Sequence, residues 1–321
     1  HRDLHSFPTR RSSDLDGKTV SVQFLFDRPN QLGLWDMGCL PEFSPGWQNS
    51  ETHTALKADP DMVYVLGADP IGGTASGYCY EAAMNTGCLV VQDAYFGQTA
   101  ERATVVLPAP SYGEEAGSYT NNEGRVQKVY AVRAAAPNVR PAIEVMTKIA
   151  TVMSETLGPQ TSQDVFTEIT QVVEGYQKLD LSAENDLGFT YSGPKKSGHL
   201  NGETHKFVAP EAPNGSYYLI TGDDKFSTGT ISAHSKILPT LGGGLYAEMN
   251  FETQNGREFD DQEVTISCNG ASLTAPLKLN KSFAKGVVFI PESFLQSLAG
   301  KLLNGSIYPG VVEVKVLAAE S

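Results

Sequence analysis

The hydrophobic pattern along the chain changes character twice. Thr19 to Phe26 alternates and reads as a strand, followed by a Gly/Pro-rich loop from Arg28 to Gln48. Met62-Val63-Tyr64-Val65-Leu66 is a continuous apolar run closed by Gly67-Ala68-Asp69-Pro70, the form of a parallel strand buried on both faces. A helix is predicted over Ser76–Thr86, a strand over Leu89–Gln92, a short helix over Thr99–Arg102 and a strand over Thr104–Leu107 that Pro108 ends. Strands alternating with helices at this spacing predict βαβ units and a parallel sheet.

Helical periodicity returns over Ala142–Leu157, with Ile143, Met146, Ile149, Ala150 and Met153 on one stripe. It returns again over Ser162–Leu179, through Val165, Phe166, Ile169, Val172 and Val173. From about 180 to 214 the chain is polar and rich in Gly, Ser, Lys and Asn, the composition of a linker or surface excursion. Six short β runs with Gly-rich turns follow: Tyr217–Thr221, Leu245–Met249, Glu263–Cys268, Leu273–Leu279, Val287–Ile290 and Val311–Val316. That spacing predicts a small β-barrel. No internal repeat is visible. The expected organisation is an α/β domain over 16–180, a linker over 181–214 and a barrel over 215–321.

Composition narrows the function. With 321 residues, 40% of them apolar and 19% charged, the chain is of ordinary globular make-up and of about two-domain size. No apolar run nears the ~18 residues of a membrane-crossing helix. The formal net charge of −13 repels phosphate backbones and anionic lipid, so nucleic acid and bare membrane are poor partners. Cys39, Cys79, Cys88 and Cys268 form no C-x-x-C pair, so close-spaced zinc or iron–sulfur ligands are lacking. They are expected to be reduced, buried thiols.

The first fifteen residues stand apart. His1-Arg2-Asp3-Leu4 imitates a kinase catalytic loop, but position 8 is Pro where that loop needs Asn. The run from His5 to Leu15 resembles a translated sequencing adapter and is excluded from fold reasoning. The expectation is that the natural protein is longer at its N-terminus.

Gly67, Gly72 and Gly73 would let backbone N–H groups approach a phosphate at the carboxyl edge of the sheet. Asp69 or Asp93 would accept from a ribose or a guanine amine. Ordinary turn chemistry explains the same Asp-Pro and Gly-Gly pairs. Glu123 and Arg125, beside Asn121, either brace one backbone segment against another or touch a cofactor. The histidines at 53, 199, 205 and 234 share no ligand-like spacing and are expected to be exposed or locally hydrogen-bonded; Trp35 and Trp47 are expected to pack. Asn214-Gly215-Ser216 and Asn304-Gly305-Ser306 have the form of glycosylation sequons and read as turns.

Three segments carry a family pattern: Asn30 to Pro41 with Pro45-Gly46-Trp47-Gln48; Val65-Leu66-Gly67-Ala68-Asp69-Pro70; and Val91 to Ala109, closing with Glu115, Gly117 and Asn121-Asn122-Glu123-Gly124-Arg125-Val126-Gln127. Together they resemble the C-terminal half of the molybdopterin oxidoreductase superfamily, and the barrel resembles that superfamily's dinucleotide-binding domain. The last run is most similar to the G-subunit branch of NADH-quinone oxidoreductases, respiratory complex I. The resemblance implies a truncated Rossmann-like domain followed by a double-psi-like barrel. It implies cofactor-facing positions at Gly67, Asp69, Pro70, Asp93, Thr99, Asn121, Glu123, Arg125, Thr221, Gly222, Thr228, Gly229 and Thr230.

Catalytic relatives carry a His-Thr-Gly-Thr-type run where this chain has Ser227-Thr228-Gly229-Thr230, and an Asn that is missing from Phe294 to Ala299. Both departures fit the complex I branch, where the scaffold persists without molybdenum chemistry. The resemblance therefore implies a non-catalytic fragment of an oxidoreductase component, with no catalytic or metal-binding residue of its own. Molybdopterin guanine dinucleotide is the cofactor it allows, and iron–sulfur clusters are expected only in a missing N-terminal part. Its expected partners are other subunits of a respiratory redox complex, on the cytoplasmic face of the membrane. The alternatives are half of a catalytic molybdenum bis-pterin enzyme such as formate dehydrogenase, or an assembly protein with no redox role.

Overall fold

A computed structural model describes residues 28–39, 43–44, 48–49, 60–72, 84, 86–181, 187–190, 216–226, 230–242, 244–250, 263–268, 270–295, 302 and 310–316. In chain order these form α1 (Gln31–Asp36), β1 (Phe43–Ser44), β2 (Gln48–Asn49), β3 (Met62–Leu66), β4 (Cys88–Asp93), α2 (Gln98–Glu101), β5 (Val105–Pro108), β6 (Gly117–Thr120), β7 (Arg125–Val129), α3 (Ala142–Val152) and α4 (Ser162–Val172). There follow β8 (Phe189–Thr190), β9 (Ser216–Gly222), α5 (Thr230–Ala233), α6 (Leu238–Leu241), β10 (Ala247–Met249), β11 (Glu263–Cys268), β12 (Ala271–Leu279), β13 (Val287–Pro291) and β14 (Gly310–Val316). The strand at 19–26 and all but the end of the helix at 76–86 lie outside the described residues.

The chain divides into two compact units, one gathering 1–58 with 108–207, the other 59–107 with 208–321. In the first unit the hairpin β6–β7 carries β8 on its outer edge, with Arg125 opposite Thr190 and Val126 opposite Phe189. Gly188 makes that approach feasible: its φ is +73°, and a Cβ there would strike the Val126 carbonyl. Val126, Phe166, Val173, Tyr176 and Leu181 form the core beneath. Helix α4 starts with a capping box, the Thr161 hydroxyl accepting from Asp164 N while the Asp164 carboxylate accepts from Thr161 N.

The second unit holds the sheet β3–β4–β5 and a closed barrel in the order β10–β12–β11–β14–β9–β13. β3 and β4 pair in parallel, Met62 opposite Cys88 through Leu66 opposite Gln92. Strict alternation builds the barrel core: Val264 and Ile266 of β11, Ala275 and Leu277 of β12, Val288 and Ile290 of β13 point inward with Leu219 and Met249. Two pairings are parallel, β10 with β12 and β9 with β13, among antiparallel neighbours.

Several expectations change. The segment 28–48 is not all loop, because α1 and two short strands interrupt it. β3 is buried on one face only: Val63 and Val65 are buried, while Met62 and Leu66 on the opposite face are 58% and 48% exposed. Both long helices end early. α3 stops at Val152, just before Ser154 takes a φ of +62°, which leaves Met153 outside the helix. α4 stops at Val172, where Val173 turns extended and enters the core instead of continuing the stripe. The thiols are less enclosed than a small hydrophobe would be: Cys39 is exposed and Cys88 and Cys268 are half-buried, with Cys79 outside the described residues.

Candidate functional site

At the carboxyl edge of the parallel pair, β3 ends in the turn 67–72 and β4 in the turn 93–98. Gly67 takes a φ of +60°, which needs glycine, and its N–H donates to the Gln92 carbonyl at 2.9 Å. The buried Gln92 side chain accepts from Tyr64 Oη at 2.8 Å, fixing the strand ends side by side.

Asp69 ties the two turns together. Its carboxylate accepts from Gly72 N (3.1 Å), Gln98 N (3.0 Å), Thr99 N (2.9 Å) and Thr99 Oγ1 (2.5 Å). Thr99 Oγ1 in turn accepts from Ile71 N at 3.1 Å. Gly97, the N-cap of helix α2, has no side chain to cap it, so Asp69 from the neighbouring turn satisfies the first two orphan N–H groups. Asp93 makes a local turn, accepting from Tyr95 N at 3.0 Å. The Tyr95 ring stacks on His234, just beyond α5, with centroids 4.3 Å apart and planes 7° from parallel. His234 is exposed, as its spacing predicts, and it also has an aromatic partner that spacing does not reveal.

The structure thus brings Gly67, Asp69, Pro70, Asp93 and Thr99 into one pair of turns. Thr221 and Gly222 end β9, Thr221 being 3% exposed. Thr230 begins α5, while Thr228 and Gly229 lie outside the described residues. Asn121, Glu123 and Arg125 form the turn of the β6–β7 hairpin in the other unit. Asn121 Oδ1 accepts from Glu123 N (2.9 Å) and Arg125 N (3.0 Å), Gly124 supplies the required φ of +71°, and Glu123 stands in solvent. Arg125 Nη1 donates to the Leu187 carbonyl at 3.2 Å, which supports the bracing alternative.

One polar cluster is not legible in the pattern. Asn30 caps nothing on α1, because its Oδ1 accepts from Thr120 N at 2.9 Å. Tyr176 Oη donates to Asp36 Oδ2 at 3.0 Å and meets Thr120 Oγ1 at 2.8 Å, all three residues being at most 3% exposed. Burial first, and the Asp36 charge second, push the Tyr176 hydroxyl well above the ordinary tyrosine range. Burial likewise pushes the Glu115 carboxyl up. Among the described residues no group of His, Cys, Asp and Glu is arranged to hold a metal ion.

A dinucleotide at the sheet edge would need backbone donors for its diphosphate. The N–H groups of Gly67, Ile71, Gly72, Gln98 and Thr99 all donate within the protein. Gly73 lies outside the described residues; among the described ones, these five donors are already engaged.

Comparison with known proteins agrees with the architecture. Residues 40–152 match the family described as molybdopterin oxidoreductase. The chain is 34% identical to the second G subunit of NADH-quinone oxidoreductase of Rhizobium meliloti (strain 1021), over 94% of this chain and 39% of that protein. It is 24% identical to the F420-dependent formate dehydrogenase 2 subunit alpha of Methanococcus maripaludis, over 94% of this chain and 52% of that protein. Among solved structures, acetylene hydratase from Pelobacter acetylenicus superposes with a TM-score of 0.62 at 13% identity, covering 90% of this chain and 51% of that one; this likeness concerns the fold. The chain spans about half or less of the length of these curated relatives.

Proposed function

We propose that the chain, whose residues 40–152 match the molybdopterin oxidoreductase family, is part of a G-subunit-like component of an NADH-quinone oxidoreductase, serving as scaffold in electron transfer from NADH to quinone. The observation that carries this reading is the 34% identity extending over 94% of the chain, through both the hairpin motif and the barrel. The internal engagement of Asp69 and of the Asn121–Arg125 turn supports a structural use of the motif residues. The parallel pairings of β9 with β13 and β10 with β12 support a double-psi, dinucleotide-binding type of barrel. Iron–sulfur clusters would belong to portions of the longer polypeptide outside this chain. The partners would be other subunits of the complex, and the location the inner face of the cell membrane, peripherally. No described helix is long and apolar enough to cross a membrane.

A second reading is favoured by 24–26% identity, again over 94% of the chain, to three F420-dependent formate dehydrogenase alpha subunits. This chain would then be half of a catalytic molybdenum bis-pterin oxidoreductase. Bound molybdopterin dinucleotide would supply the redox chemistry. Thr221, Gly222 and the 228–230 run would be the barrel residues to hold it.

Affinity purification of the tagged, genomically encoded protein decides between the two. The complex I reading expects co-purification of other subunits, NADH–quinone reductase activity, and iron without molybdenum. About one molybdenum per polypeptide, with extractable pterin, would overturn it.

A further inference from the structure

The turn pair at the sheet edge has the form of an anion nest. Backbone N–H groups from two separate turns, Gly72 on one and Gln98 and Thr99 on the other, converge on one point together with the Thr99 hydroxyl. Two glycines line that point, and neither is there for its backbone angle: Gly97 has a φ of −96°, and Gly72 is not among the residues of positive φ. Both are there for room. A Cβ on Gly72 or on Gly97 would run into the Asp69 carboxylate, reaching 3.1 Å and 2.7 Å from its Cγ. The cradle that backbone donors and missing side chains would otherwise offer to a phosphate is filled by a side chain of the protein itself.

We propose that Asp69 is the resident anion of this nest: its carboxylate stands where a ligand diphosphate would enter, so the sheet edge binds its own chain and takes no nucleotide phosphate. Four donors meet the carboxylate here, Gly72 N, Thr99 N and Thr99 Oγ1 on Oδ1 and Gln98 N on Oδ2, so both of its oxygens are engaged. The two turns are joined through Asp69 without an exogenous group. This goes beyond the assembly reading, because it concerns the occupancy of one nest and not the company the protein keeps.

The test uses the purified 321-residue protein. Calorimetric titration with GDP and with pyrophosphate, at millimolar concentrations, should show no binding. In hydrogen exchange, Asp69→Ala should release the amides of Gly72, Gln98 and Thr99, which would exchange roughly 10-fold faster or more once their acceptor is gone. Added acetate should restore part of that protection, which loss of packing alone would not permit. Gly97→Ala, with Asp69 intact, should deprotect the same amides by displacing the carboxylate. Stoichiometric GDP or pyrophosphate binding to the unaltered protein that protects these amides would overturn the proposal. Asp69→Ala amides exchanging at the original rate would do the same. Should Asp69→Ala fail to fold, the titration of the unaltered protein and the exchange pattern of Gly97→Ala still decide.

Discussion

Replacing Tyr176 by Phe removes one oxygen from a site where nothing else changes shape. The ring keeps its place against Phe166, 6.5 Å away between centroids, so the cost is polar. Two contacts vanish: the donor to Asp36 Oδ2 and the partner of Thr120 Oγ1. A hydrogen bond to a charged group is worth about 1.5–3 kcal/mol, and the neutral one adds about 1 kcal/mol. With Asp36 only 1% exposed, water cannot readily replace the lost donor. Denaturant unfolding at pH 7 should therefore show a loss of about 2–4 kcal/mol.

The pH dependence gives a second, independent reading. An unfolded tyrosine ionises near pH ~10, while folded Tyr176, held well above that, keeps its proton. Folding is then opposed at high pH, and this one group removes about 1.4 kcal/mol of stability per pH unit above ~10. Tyr176→Phe has no such proton to lose. The gap between protein and variant should narrow as pH climbs from ~9 to ~11. Tyr64, Tyr217 and Tyr246, whose hydroxyls burial also pushes up, contribute equally to both and cancel. A loss under about 0.5 kcal/mol at pH 7, or parallel curves at high pH, would refute the buried network.

Two glycines of similar backbone angle should behave differently on substitution by Ala. Gly67→Ala meets open space and should cost about 1–2 kcal/mol of left-handed strain, whereas Gly188→Ala adds a clash with the Val126 carbonyl and should cost clearly more in the same denaturation assay. In the barrel, Ile266→Ala empties a site with no exposure and should lower stability by about 2–5 kcal/mol, read as a shift in denaturation midpoint.

The barrel is legible because period-2 alternation is a local property. Each of its six strands falls within a residue or two of its expected place, and Val264 and Ile266 can be placed inward from their spacing alone. The hairpin at 117–129 does not read as paired strands, since its residues alternate weakly. The end of α3 escapes the pattern because Met153 extends the apolar stripe past the residue where the backbone leaves the helix.

Hydrophobic period and turn chemistry suffice to set the order and kind of most elements, and the motifs carry the family pattern with them. Where each polar side chain is used emerges only once the chain has folded. Asp69 reads as ligand contact or as turn residue until Gln98 and Thr99, 29 and 30 positions away, are seen to donate to it. Asp36 has no signal at all until Tyr176 arrives from 140 residues along the chain. The reason is physical: hydrophobic alternation is fixed by neighbours a few residues apart, whereas a buried carboxylate is satisfied by whichever donors the fold brings to it.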